Sequence, residues 1–347
     1  MKGTILTALA AGALILAGCT KTEVTDVPDS RAISFDNFVT NAVKSQISKN
    51  EDLTKFFVFG GYTSNEVFNN VPVTVAWDGG GTSTCTYTPA KYWTVNETYY
   101  FAAYSDGNGK IENNVTFDQG TGHLTISDYT VDAADDDLIY GYADNGGAGY
   151  TYDGATSMDP VPFDFKHILS KVTFKFSKAA DLNGTDLTIS NFSVNLKTTG
   201  TFTGTDLSGT TQYPHSTWNA SDPASAFTKF SNASLTLNTD VIAGQTATTV
   251  ETGFTAIPQS VTGYTISFDV TYMDPINQLQ VTRIFDNVSI ANTLDNNWKP
   301  GYRYIYTAEI KAVNLDLEPI VFTVNAVEGW TDENVTDEII GDTEGTI

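Results

Sequence analysis

Three histidines (His123, His167, His215), 41 acidic residues and the thiols of Cys19 and Cys85 are the groups of this chain that could move protons, attack carbonyls or hold a metal. Their spacing assembles none of these chemistries. The histidines lie far apart, none at ligand or relay spacing from another, and each reads as a surface or strand residue. The sequence has no phosphate-binding glycine loop, dinucleotide fingerprint, Gly-x-Ser-x-Gly elbow or His-Glu-x-x-His helix. Asp135-Asp136-Asp137 has no His, Asn or further Glu nearby and reads as a solvated loop. Asp106-Gly107-Asn108-Gly109 lacks the glycine and final glutamate of a calcium loop at the required spacing, and reads as a turn. Carboxylates flanking a glycosidic bond could come from many pairs, but no pair stands out. The expectation is a chain without catalytic residues, cofactor or metal. Of the five tryptophans, Trp77, Trp93, Trp298 and Trp330 adjoin strands or turns and read as packing anchors. Trp218, in a Thr-, Gly- and Ser-rich stretch, is the candidate for an exposed ring that stacks on a ligand such as a sugar.

One thiol has a context that points to covalent modification. Lys2 is followed by the apolar run Ile5 to Ala17, which is too short to span a bilayer comfortably, and then by small residues, the pattern of a secretory signal. Leu16-Ala17-Gly18-Cys19 resembles the lipobox of bacterial lipoproteins, which implies that Cys19 becomes the acylated first residue. The alternative is a plain signal peptide with an incidental Cys19. Residues 1–18 are read as signal peptide and 19–31 as a polar tether. Cys85 is then left without a disulfide partner and, lying in an alternating run, reads as a half-buried packing residue.

A formal charge of -23, with 18 basic residues scattered among 41 acidic ones, excludes a nucleic-acid partner. It fits a solubilising surface on a protein kept outside the cytoplasm.

The elements that must position these groups are strands. Tyr264, Ile266, Phe268, Val270 and Tyr272 alternate, as do Tyr302, Tyr304, Tyr306, Ala308 and Ile310, while Tyr99 to Tyr104 is an apolar run buried on both faces. Ala32 to Val39 puts Ile33 and Phe35 on one face and is the first strand candidate. No long segment repeats apolar residues at helical spacing, so the fold class is all-β, with two tandem antiparallel β-sandwiches over 32–158 and 159–330 and an acidic tail, 331–347. Between Phe163 and Phe176 the apolar parity switches from odd to even, which requires a bulge or one helical turn at His167 to Ser170. This stretch reads as the hinge between the two sandwiches.

The residues Lys91-Tyr92-Trp93, Tyr100-Phe101-Ala102-Ala103-Tyr104, Asp137-Leu138-Ile139-Tyr140, Phe165 to Val172, Ile257-Pro258-Gln259, Trp298 to Tyr304, and Ile320-Val321-Phe322 through Val327-Glu328-Gly329-Trp330 occur in that order. In order and spacing the chain resembles the fimbrillin family, lipoprotein-precursor subunits of type V pili. The resemblance implies transthyretin-like sandwiches, a cell-surface location at the outer membrane and a structural rather than enzymatic role. Its partners would be other pilin subunits, the outer membrane through the lipid, and a host protein or glycan. It also implies assembly by strand exchange after a protease cuts behind an arginine. Arg31, just before Ala32, is the candidate cut, the alternative being an uncut tether as in anchor subunits. A donor strand would come from 331–347, where Val335, Ile339 and Ile347 have compatible parity and intervening acids dilute the pattern. Stalk, tip and accessory roles stay open. The competing reading is a surface glycan-binding lipoprotein that uses exposed aromatic rings.

Overall fold

The computed structural model describes residues 31–39, 52–63, 65–78, 83–107, 114–143, 145–204, 217–290, 296–316 and 318–328. Along the first half run β1 (Phe35–Val39), β2 (Lys55–Tyr62), β3 (Asn65–Trp77), β4 (Ser83–Thr86) and β5 (Thr98–Ser105). Then come β6 (Val115–Asp118), β7 (His123–Thr130), β8 (Ile139–Ala143), β9 (Tyr150–Thr151) and β10 (Val161–His167). The second half continues with β11 (Ser170–Lys178), β12 (Leu187–Leu196), β13 (Thr199–Thr203), β14 (Thr217–Ala220), β15 (Ser225–Phe227) and β16 (Ser234–Leu237). It ends with β17 (Val250–Ala256), β18 (Thr265–Met273), β19 (Gln280–Ser289), β20 (Tyr302–Ile310), a single helical turn α1 (Ala312–Leu315) and β21 (Thr323–Glu328).

These strands form four sheets, so the all-β class stands. One follows the order β1-β10-β8-β5-β2-β3-β4 with β9 on β5; the others are β17-β11-β20-β21, β15-β12-β18-β19 with β16 on β12, and β14-β13-β7-β6. Pairing is antiparallel except for β1 with β10 and β11 with β20, which are parallel, a departure from the purely antiparallel expectation. Both exceptions are pairs of strands well separated in the chain, for which no tight hairpin dictates direction.

Alternation explains how the large first sheet is buried on two sides. From β2 and β5, Phe56, Val58, Tyr99, Phe101 and Ala103 enter one core, whereas Phe57, Phe59, Ala102 and Tyr104 enter another. Successive side chains of a strand point to opposite faces, so a continuous apolar run such as Tyr99 to Tyr104 is what a strand between two cores requires. The second core also receives Leu124 and Ile126 from β7, Phe202 from β13, and the inner faces of the sheets built on β11 and β12. Strand pairing does not respect a linear division at residues 158 and 159, because β10 is bonded to β8, and β13 and β14 continue the sheet of β7.

The parity switch is resolved by neither a bulge nor a helical turn. Val161, Phe163 and Phe165 fill the first core, Val172, Phe174 and Phe176 the second, and Ile168-Leu169 between them belong to no strand. Ile168 N donates to the Leu138 carbonyl of the β8 side, and the Leu169 carbonyl accepts from Gly301 N on the β20 side. The chain changes sheets there, and a residue pair outside the ladders resets the phase. The second parity change, at Ser190-Asn191, is a bulge: the register of β12 with β18 slips between Ser190 and Ser193, and Asn191 takes a positive φ of 54°.

Candidate functional site

The first strand lies at one end of its sheet, bonded by backbone to β10 and lying also against β4 at the other end. It closes the space between two sheet edges. Along Ile33 to Asn37 the odd residues point inward and are buried, while Ser34 and Asp36 face out. Phe35 packs its ring 5.2 Å from Phe68, 5.6 Å from Phe163 and Tyr87, and 5.8 Å from Phe101. The Ile33 carbonyl accepts a 2.6 Å hydrogen bond from the Tyr87 hydroxyl. On the β4 side, Asn37 Nδ2 donates to Ser83 Oγ at 3.1 Å and to Cys85 Sγ at 3.0 Å.

Arg31 and Ala32 are held into this arrangement. Ala32 bridges Tyr92, Ile33 N donates to the Lys91 carbonyl and Trp93 N to the Arg31 carbonyl. Arg31 Nη2 donates to the Trp93 carbonyl at 2.9 Å, and the guanidinium carbon lies 5.9 Å from the centre of the Tyr152 ring. The Arg31-Ala32 bond therefore sits in a short antiparallel bridge with a docked guanidinium.

Cys85 is half-buried on the side facing β1. Burial pushes its thiol up, the Asn37 amide pulls it down, and the nearby Asp36 charge adds a further upward push. This is a packing thiol with a damped tendency to ionise.

Trp218 does not stand free in a loop. It lies in β14, donates Nε1–H to the Ile168 carbonyl at 2.7 Å, and packs 5.4 Å from Phe202 and 6.0 Å from Tyr129. Its register opposite Phe202 makes it an anchor of the sheet-to-sheet junction, and its N–H is spent inside the protein. Trp77, Trp93 and Trp298 are packing residues as expected, Trp93 and Trp298 being almost wholly buried.

The acidic triplet also differs from a solvated loop. Asp135 is exposed, but Asp136 and Asp137 are buried. Asp136 Oδ2 accepts from Asp132 N and Ala133 N, while Asp137 Oδ1 accepts from Leu138 N at 2.8 Å and lies 2.9 Å from His167 Nδ1. His167 ends β10, as a strand residue, and is a buried partner of Asp137. Burial and the carboxylates of Asp136, Asp106, Asp137 and Asp132 together hold the Tyr129 hydroxyl well above its ordinary value. Among the described residues no three His, Cys, Asp or Glu side chains converge as a metal would need. Cys19, His215, Trp330, Val335, Ile339 and Ile347 lie outside the described residues.

Sequence reasoning found Ile33, Phe35 and Arg31 but missed Asn37 and the partner β10. The inward parity of Asn37, a polar residue continuing the series Ile33, Phe35, was the available signal, since such a position needs a partner. The pairing with β10 joins residues far apart in sequence and leaves no local trace.

Residues 40–330 match a family model described as fimbrillin-like. A search of curated proteins found no match. Among solved structures the chain is similar to a fimbrial protein from Bacteroides vulgatus, with a TM-score of 0.57 and 17% identity over 87% of this chain and 100% of that one. It is also similar to candidate cell adhesion proteins from Bacteroides uniformis (TM-score 0.43, 18% identity, 88% of this chain and 100% of that one) and Bacteroides ovatus (0.45, 15%, 88% and 99%). At such identities the first of these likenesses speaks to fold alone.

Proposed function

Since this chain belongs to the fimbrillin-like family, we propose that it is a structural subunit of a type V pilus, without catalytic activity, that joins other pilin subunits by donor-strand exchange. It is exported as a lipoprotein acylated on Cys19 and held at the outer membrane of the cell surface until assembly. The observation that carries this reading is β1 with the residues leading into it: a short strand, parallel to β10, that together with Ile33 fills the space between β10 and β4, Phe35 and Ile33 pointing inward. Leaving that space empty would expose the apolar lining and the ladder groups of β10 at once, and any extended segment with alternating apolar residues would satisfy both.

Cutting between Arg31 and Ala32 separates β1 from the lipid tether. Its remaining hold is then the ladder to β10, the Ile33 and Phe35 side chains, the hydrogen bonds of Ile33 to Lys91 and Tyr87 and of Asn37 to Ser83 and Cys85, and the chain leading on to β2. Each large apolar side chain contributes about 1.5–3 kcal/mol on burial, so a longer incoming strand with more such residues can displace it. The donor is drawn from Thr331 to Ile347, through Val335, Ile339 and Ile347.

The test compares the full mature chain with one beginning at Ala32. SDS-resistant ladders from the shorter form alone support exchange. Failure of both forms to polymerise, together with protein recovered from cells that still begins at Cys19, overturns it.

A further inference from the structure

In the sheet built on β12, β19 is an end strand. The outer edge of β19 faces the extended segment Glu318 to Phe322 across a groove of about 540 Å³, lined by residues 284–289 and 318–322. Among the described residues no backbone hydrogen bond joins these two banks. Its floor is core: Phe285 stacks 5.3 Å from Phe268, and Phe322 packs 6.3 Å from the same ring. Its rims are apolar but uncovered. Ile284 is 65% exposed and Val321 75% exposed, and with Ile276 (92%) and Leu279 (63%), in the turn that precedes β19, they are the most exposed large apolar side chains among the described residues.

An edge strand offers N–H and C=O groups to whatever lies beside it; here the row is broken by a bulge between Phe285 and Val288, where Asn287 takes a φ of 56° and gives its N–H to Ser267 Oγ, and five or six residues on each bank give a slot ~17 Å long. The slot therefore fits an extended segment of about five residues, one side of which drops apolar side chains toward Phe285 and Phe322. Charge selects the occupant further: the lining includes Asp286 and Glu318 and no basic residue. The chain's own tail, with Asp332, Glu333, Asp337, Glu338, Asp342 and Glu344 and no Lys or Arg, is disfavoured there by like charge.

We propose that the groove between β19 and Glu318–Phe322 is a strand-addition site for an extended, lysine- or arginine-bearing segment of another protein. The site is separate from the β1 slot and shares no residue with it.

The probe is a fluorescent acetyl-Lys-Val-Thr-Val-Lys-Val-amide, with a twin carrying Glu in place of both Lys, titrated into the full mature chain. The Lys peptide is expected to bind about ten-fold more tightly than the Glu twin at low salt, with the gap closing as salt is raised. It should protect the amides of residues 284–289 from hydrogen exchange. V321D, at an exposed position that leaves folding intact, should abolish binding, and the double change D286K/E318K should reverse the peptide preference. Equal binding of the two peptides at low salt, no binding of the Lys peptide, or binding without protection of 284–289 overturns the proposal.

Discussion

Asn37 of β1 donates its side-chain amide to the Cys85 thiol of β4, 3.0 Å away, although the backbone of β1 is bonded only to β10 among the described strands. One flank of the strand is held by a ladder and the other by a side chain. A strand with a single laddered edge is easier to remove than one with two, and its stability rests on what it buries.

Among the described side chains of β1, Phe35 is the largest part of that burial. Phe35→Ala leaves a cavity among Phe68, Tyr87, Phe101 and Phe163 and is expected to cost about 3–5 kcal/mol in urea unfolding. Ser34→Ala, on the outward face of the same segment, should stay within about 0.5 kcal/mol. Equal effects would mean that β1 is not packed as described.

Cys85 reports on the same slot without altering it. Its thiol is pushed up by burial, so at a given pH less of it is thiolate than in an exposed cysteine. In a chain starting at Thr20, where Cys85 is the only thiol, labelling by iodoacetamide at pH 8 should be slower than that of glutathione and should keep rising with pH after glutathione has levelled off. Phe35→Ala, by loosening β1, should speed it. A rate matching glutathione throughout would place the thiol in solvent.

Much of this architecture was legible because alternation is local. Tyr99 to Tyr104 announced a strand between two cores, and Tyr264 to Tyr272 and Tyr302 to Ile310 announced one-sided strands, all of which form. The parity switch between Phe165 and Val172 gave the place where the chain leaves one sheet for the next, though not the means. What stayed hidden is long-range. The pairing of β7 with β13 and of β1 with β10 depends on which edges meet, and the burial of Asp137 depends on His167, thirty residues on. The same holds for Trp218: its flanks are polar, but the Ile168 carbonyl and the rings of Phe202 and Tyr129 that receive it come from segments distant in sequence.

Asp222 makes a pH prediction. Its carboxylate accepts from Thr198 N, Thr198 Oγ1 and Thr199 N, at 2.9 to 3.1 Å, fastening the link between β12 and β13. Partial burial is the largest single influence and pushes its pKa up, but these donors together outweigh it and leave the group below the ordinary aspartate value. A group depressed in the folded state stabilises the fold above its unfolded value and loses that contribution as pH falls through the folded one. Asp222→Asn should therefore lower stability near neutral pH by about 1–2 kcal/mol, with the difference from the parent shrinking below about pH 4. A difference that is constant from pH 7 to pH 2.5 in urea midpoints would refute the assignment.

The last prediction concerns Arg31, whose peptide bond must be presented in an extended, accessible form before any trypsin-like protease can cut it. The bridge from Ala32 to Tyr92 and the bond from Trp93 N to the Arg31 carbonyl withhold it, and the guanidinium adds a hydrogen bond to the Trp93 carbonyl and a seat near the Tyr152 ring. Cutting then requires local opening, and its rate follows the population of the opened segment. Tyr152→Leu keeps an apolar filler but removes the π face, worth about 0.5–1 kcal/mol, so cleavage giving a fragment that begins at Ala32 should become about two- to five-fold faster. Limited digestion of the native protein, with N-terminal sequencing of the product, measures this, and cleavage at Arg283 serves as the internal control. Acceleration at Arg31 with Arg283 unchanged means that the ring holds the cut site shut. Acceleration at both would mean that the substitution loosened the whole fold, and no change at either would leave the backbone bridge alone as the gate.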